Sequence, residues 1–160
     1  MVWDEESKGA NMQIQNKGKT VIKRTEDDYE TILATVPLSS GKHKWEIVID
    51  RFTSEEDLFI GVATKEVSLY SRPPDVGNFW GYIATSGKKF GPGVVDEYSE
   101  VSGSGDVIGI VLEWSGDKAT LSFTKNSVEM GVTFDNITGT VYPAVSLYYD
   151  EAQVSLRNKF

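Results

Sequence analysis

An all-β, two-sheet antiparallel sandwich is the fold class this sequence predicts, on three observations. Apolar residues alternate with period two, turn residues recur at short intervals, and no stretch of a dozen residues keeps a 3.6-residue period between a capping residue and a terminating glycine. In 117–124, Ala119, Leu121 and Phe123 fall on one side and Thr120, Ser122 and Thr124 on the other, as in a strand with one wet face. Trp45, Ile47 and Ile49 alternate in the same way with Lys44, Glu46 and Val48, whereas 106–112 is apolar on both parities and reads as a strand covered on both faces. Segments 12–15, 20–23, 31–35, 58–63, 79–85, 141–149 and 152–157 bring the total to about ten short strands. Residues 27–35 are the best helical candidate, but their second half, Thr31-Ile32-Leu33-Ala34-Thr35, reads better as a strand. Turn residues punctuate the runs at Gly18, Ser39-Ser40-Gly41, Gly87, Gly91-Pro92-Gly93, Ser115-Gly116-Asp117 and Asn126-Ser127.

The 160 residues suffice for one domain, 1–160, whose single core removes roughly 70% of the unfolded surface from water. With 24 acidic against 16 basic residues the net charge is -8, which disfavours nucleic acid and anionic membrane. The densest basic stretch, Lys17, Lys19, Lys23 and Arg24, runs straight into Glu26, Asp27 and Asp28. The absence of cysteine excludes disulfides, thiolate nucleophiles and thiolate metal sites. Residues Met1 to Glu6 lack the basic-then-apolar pattern of a signal peptide, and the longest apolar run, 107–112, contains Gly109 and is too short to span a bilayer. The expectation is a soluble, intracellular (cytoplasmic), monomeric domain.

Catalytic arrangements find little support. The one histidine, His43, shares parity with Trp45 and Ile47 and reads as a packed or edge residue; no Gly-x-Ser-x-Gly elbow accompanies it. Glu55-Glu56-Asp57 and Asp96-Glu97 are adjacent acids in loops, not the alternating carboxylates that sandwich glycosidases place on one strand face. Gly87 to Gly93 holds no Gly-Lys-Ser/Thr element, and no Asp-x-Asp calcium spacing occurs. The expectation is therefore no enzyme, no cofactor and no metal.

Several motifs match a known family. Gly41-Lys42-His43-Lys44-Trp45-Glu46-Ile47, Phe59-Ile60-Gly61-Val62-Ala63 and Trp80-Gly81-Tyr82 resemble the first half of a SPRY domain in order and spacing. Gly105-Asp106-Val107-Ile108-Gly109, Leu121-Ser122-Phe123, Asn126, Gly131-Val132-Thr133-Phe134 and Val141-Tyr142-Pro143-Ala144-Val145-Ser146 resemble the second. The resemblance covers 41–157 and leaves 1–40 as variable leading strands. It implies a jelly-roll, concanavalin-like sandwich that binds a protein or peptide segment and serves as an adaptor, including as the substrate-recognition part of ubiquitin ligases. Trp45, Trp80 and Phe123 are large enough to dominate the core, and Gly109 within a strand suggests close approach by a neighbouring backbone or ring. Ser127 stands where the family usually has glycine, so the Asn126-Ser127 hairpin is expected to use another turn type.

The candidate binding surface follows from loop length and from the resemblance. Residues 67–78 form an unusually long loop in which Pro73-Pro74 restricts the backbone, and Tyr70 and Arg72 are residue types enriched at interface hot spots. The resemblance implies that Tyr70 enters a peptide pocket, and Ser71, Arg72 and Asp75 of the same loop are expected to bind the partner beside it; the alternative is that Tyr70 packs its own loop. It also implies that the last turn, with Tyr148, Tyr149 and Asp150, lines the same pocket. Val145, Leu147 and Tyr149 share a parity, which makes Tyr148 the outward member of that pair. Leu38, Ser54 and Glu55 are expected at the rim. The rival class is a lectin-like sandwich using exposed tryptophan, for which Trp3 and Trp114 remain after the core assignments.

Overall fold

The computed structural model describes residues 1–52 and 58–157. Fourteen strands form two antiparallel seven-stranded sheets among these residues. They are β1 (Trp3–Lys8), β2 (Met12–Gln15), β3 (Thr20–Lys23), β4 (Glu30–Ala34), β5 (Lys42–Arg51), β6 (Phe59–Ala63), β7 (Phe79–Ile83), β8 (Lys88–Gly91), β9 (Val94–Asp96), β10 (Val107–Ser115), β11 (Lys118–Lys125), β12 (Val128–Ile137), β13 (Tyr142–Leu147) and β14 (Gln153–Arg157). Sheet I runs β1-β4-β13-β6-β7-β8-β9 and sheet II runs β12-β11-β10-β5-β14-β3-β2, so the leading strands β1–β4 are divided between the two sheets. Among the described residues no helix is long and apolar enough to cross a membrane.

The sandwich closes because the alternating sides chosen by sequence meet. Trp45, Ile47 and Ile49 of β5, Ile108, Ile110 and Leu112 of β10, and Leu121 and Phe123 of β11 face Ile32 of β4, Val145 and Leu147 of β13, and Ile60 and Val62 of β6, all buried. Removing each such side chain from water contributes about 1.5–3 kcal/mol. Sheet II is wet outside along β5 and β11, which alternate cleanly; β10 between them leaves Val107 and Val111 half-buried on that side, so it is not covered on both faces as its apolar run predicts, while β3 is buried at every position. The centre of sheet I is buried on both faces, β4 and β6 at every position, while its edge strands β1 and β9 are partly exposed. A second apolar cluster on its outer side joins Leu33, Phe59, Ala63, Phe79, Ile83, Phe90 and Ala144 to Val67, Leu69 and Val76 of the β6–β7 connection. That connection, containing a single 3-10 turn at Pro73–Asp75 with both prolines buried, lies across sheet I as a cover.

Trp80 is only half-buried: it packs at the sandwich margin, where a side chain at Gly91 would meet Phe134 and Trp80 at 2.9 and 3.1 Å. Gly109 lies in register between Glu46 of β5 and Thr124 of β11, on the parity opposite to the core residues Ile108 and Ile110.

The β11–β12 hairpin departs from expectation. Asn126 (φ 50°) and Ser127 (φ 70°) are both left-handed, so the two-residue turn keeps the geometry that suits the strand twist despite the serine. Asn126 holds it in place: its Oδ1 accepts the Val107 N–H at 2.9 Å and its amide donates to Asp106 Oδ1 at 3.0 Å. The Gly103 N–H and that amide beside Asp106 hold its carboxyl below the usual carboxylate range. Left-handed serine costs about 1–2 kcal/mol, partly offset in glycine by the larger entropy of its unfolded chain, so Ser127→Gly is expected to stabilise the domain by about 0.5–1 kcal/mol. Chemical denaturation reads this directly, and a destabilised variant would contradict the turn assignment.

Candidate functional site

Four connections meet at one end of sheet I: the β1–β2 turn, the β3–β4 loop, the middle of the β6–β7 cover and the β13–β14 turn. Their assembly begins with an ion pair that the sequence reading passed over. Lys23, at the end of β3, and Glu30, at the start of β4, are both fully buried, with Lys23 Nζ 3.2 Å from Glu30 Oε2 and 2.7 Å from Asp28 Oδ1. Lys23 Nζ also donates to the Glu26 carbonyl. Glu30 in turn accepts the Asn11 N–H at 2.8 Å and the Asn11 amide at 2.9 Å, which ties the β1–β2 turn to β4. A buried charge is tolerated only when paired and hydrogen-bonded, and here both conditions hold.

Backbone bonds then join the β3–β4 loop to the last turn. Asp28 N–H donates to the Tyr148 carbonyl, and Glu151 N–H to the Lys23 carbonyl, at 3.1 and 2.8 Å. Asp150 Oδ1 accepts the Thr25 N–H at 2.9 Å, Asp150 N–H donates to Asp27 Oδ1 at 3.1 Å, and Arg24 pairs with Glu151. Thr25, a β-branched residue at φ 73°, is a strained position held by that aspartate.

On this base an aromatic series runs across the end of the sheet. The Arg72 guanidinium lies over the Phe59 ring at 5.5 Å; Phe59 and Tyr29 are 5.9 Å apart, Tyr29 and Tyr148 4.7 Å, and Tyr148 and Tyr149 5.1 Å, the ring pairs all edge-to-face. The cover is pinned beside it by the Thr31 N–H, which donates to the Leu69 carbonyl at 2.9 Å. Tyr70 is 59% exposed, and its hydroxyl accepts the Ala10 N–H at 2.9 Å, so the ring is anchored at its tip to the β1–β2 turn and leaves its own loop.

The expected residues therefore divide. Tyr70, Arg72, Tyr148, Tyr149 and Asp150 are brought to one end of sheet I. Both Tyr148 and Tyr149 are half-buried, because strand alternation stops at Leu147 where β13 ends. Ser71 is half-buried against Ser68, their hydroxyls 2.8 Å apart, and Asp75 is exposed in the 3-10 turn. Leu38 is a correction: it is 1% exposed, belongs to the core, and pairs with Val141, at the end of β13 opposite Tyr148, roughly 20 Å away at about 3.3 Å per residue. Ser54 and Glu55 lie outside the described residues. Tyr29 was missed; its parity with Thr31 and Leu33, which places all three on the outer face, was the available signal.

None of the four tryptophans is exposed: Trp3 is buried with its indole N–H donating to the Lys19 carbonyl at 3.1 Å, and Trp114 is half-buried. His43 sits at the sheet margin with Nε2 2.6 Å from the Ser40 carbonyl. A shallow hollow of 470 Å³ lies on the outer face of sheet II between Lys44, Glu46, Val111, Glu129 and Arg157. Opposite charges alternate there, with Arg157 Nε 2.9 Å from Glu46, as on a solvated sheet face. Among the described residues no three His, Asp or Glu side chains converge as metal ligands would.

The comparisons with known proteins agree with this architecture. The crystal structure of the SPRY domain of human HERC1 superposes with a TM-score of 0.84 at 22% identity, over 98% of this chain and 97% of that one. The dual specificity protein kinase splA of Dictyostelium discoideum is 27% identical over 99% of this chain, and the probable ATP-dependent RNA helicase ddx1 of the same organism is 34% identical over 82%. The chain spans only 7% and 16% of those two proteins, so the match is to one domain of each and carries neither kinase nor helicase activity with it. The SPRY domain profile matches residues 42–159, and the chain belongs to the SPRY domain family, whose members are protein-interaction modules.

Proposed function

We propose that this domain binds an extended segment of a partner protein against the end of sheet I formed by Tyr70, Arg72, Tyr29, Tyr148, Tyr149 and Asp150, and that it catalyses nothing. The observation that carries the reading is the convergence of tyrosines from three separate connections, one of them 59% exposed, on a base fixed by a buried ion pair. Rigid aromatic side chains supply contact area at small entropic cost, and a base already ordered by hydrogen bonds has little left to order on binding. The domain acts as a monomer and as the recognition part of a larger protein, ubiquitin ligases among them, with any catalytic element outside these residues. Ser71 and Asp75 flank the contact.

A random-peptide display screen run beside a glycan array tests this. Peptides with a shared motif are expected, and Tyr70→Ala and Tyr148→Ala should each weaken the selected peptide by about 2 kcal/mol, roughly thirtyfold, with folding intact. Unchanged affinity in both variants would remove the site, and enrichment of glycans without a peptide motif would favour the lectin class.

A further inference from the structure

Away from Arg72, whose guanidinium lies over Phe59, charge at the proposed site is mostly acidic. Along the β3–β4 loop and the last turn stand Glu26, Asp27, Asp28, Asp150 and Glu151. Lys23 is taken by Asp28 and Glu30, and Arg24 by Glu151. Glu26, Asp27 and Asp150 are exposed, and among the described residues no cation pairs with them. Carboxylates beside tyrosine rings, whose faces carry negative potential, attract a positive group.

An independent feature lies directly behind the tyrosines. Thr31 follows Tyr29 by two residues on β4, and Ser146 precedes Tyr148 by two on β13, so both hydroxyls share the outer face with those rings, one pleat further in. The two residues are register partners. Both are 0% exposed, and neither Thr31 Oγ1 nor Ser146 Oγ has a hydrogen-bond partner. Buried hydroxyls left unmet are costly and uncommon, and these two, register partners one pleat in from the aromatic pair, each keep unused lone pairs as well as an unused O–H. An ammonium or guanidinium group brings N–H donors that those lone pairs can accept.

Arginine suits the arrangement better than lysine. Its planar head stacks on a ring face and spreads five N–H donors over several acceptors, whereas an ammonium is a compact and more strongly hydrated point charge. We propose that an arginine of the partner segment stacks on the Tyr29–Tyr148–Tyr149 series, pairs with Asp27 and Asp150, and donates to the Thr31 and Ser146 hydroxyls as the rings part to admit it. This deepens the peptide-binding reading and rests on it.

Three synthetic peptide libraries, randomised around a central residue fixed as arginine, lysine or norleucine, separate the possibilities. The domain is expected to retain the arginine library about tenfold over the norleucine one, and Asp27→Asn/Asp150→Asn should abolish that preference. Asparagine keeps the Oδ1 acceptors used by the Asp150 and Thr25 N–H groups, so only charge is lost. Ser146→Ala offers a second check: it should raise the melting temperature, because an unmet hydroxyl is removed, while lowering the affinity of an arginine peptide. Equal retention of the lysine library overturns the assignment to arginine. Equal retention of norleucine, or undiminished affinity in Ser146→Ala, overturns the cation pocket and leaves peptide binding standing. Failure of all three libraries to bind above a control protein overturns both.

Discussion

Gly61→Ala is expected to prevent folding of the domain, whereas Gly77→Ala should be tolerated. A Cβ at Gly61 would lie 1.9 Å from the Trp80 carbonyl oxygen and 2.7 Å from the Gly81 Cα, and one at Gly81 would lie 2.1 Å from the Ile60 carbonyl oxygen. Gly61 and Gly81 are register partners on β6 and β7, so their two backbones occupy the space that side chains would need. The obstacle is backbone and not the end of a flexible side chain. Relief requires the strands to separate, yet β6 is clamped on both faces, by Ile60 and Val62 toward sheet II and by Phe59 and Ala63 toward the cover. Separation would break ladder hydrogen bonds and open two cores together. The cost should exceed about 4–5 kcal/mol, a large share of the 5–15 kcal/mol by which domains are stable. At Gly77 nothing lies within 4 Å of the new methyl group. Soluble yield and chemical denaturation of both variants check the prediction; a Gly61→Ala protein within about 1 kcal/mol of the parent would refute the close approach.

The same two glycines show how the sequence could be read and where reading stopped. Phe59-Ile60-Gly61-Val62-Ala63 and Trp80-Gly81-Tyr82 are legible as motifs, but only pairing shows that the glycines oppose one another. Strands with one wet face, such as β5 and β11, announce themselves by alternation. The missing strands, β1, β8, β9 and β12, carry weaker signals for identifiable reasons. β1 holds Asp4, Glu5 and Glu6, β8 and β9 are four and three residues long, and β12 meets β11 with repeated register shifts around a Gly131 at φ 102°. Each interrupts the period that defines a strand. At the site, Tyr70 and Tyr148 were legible as tyrosines near turns. That Val67, Pro73 and Pro74 would be buried over sheet I was not, because a loop's landing place is set by which sheet face lacks another cover. Leu38 was misplaced for a related reason: a bend in sequence says nothing about which way an apolar side chain on it points.

Lys23→Met should destabilise the domain by about 3–5 kcal/mol at neutral pH, the range found when one partner of a buried ion pair is removed. Both ends of the Lys23–Glu30 pair are fully buried, so water cannot replace the lost ammonium. Glu30 would retain the Asn11 donors but face no charge. The shape change is small, since methionine fills most of the lysine stem, and the loss is therefore electrostatic and not a cavity effect. Lys23→Met/Glu30→Gln separates these causes. Glutamine keeps an acceptor for Asn11 and removes the stranded charge, so the double variant should recover at least about 2 kcal/mol of the single variant's loss. Urea denaturation of both variants decides it, and a single variant within about 1 kcal/mol of the parent would show that the pair is not the anchor. The functional consequence follows from position. Lys23 holds Asp28 and the Glu26 carbonyl, and Asp28 N–H holds the Tyr148 carbonyl. Losing the ammonium should therefore loosen the Tyr29–Tyr148 contact and weaken partner binding in the fraction that remains folded, whereas the double variant, still lacking the cation that positions Asp28, should regain stability before it regains affinity.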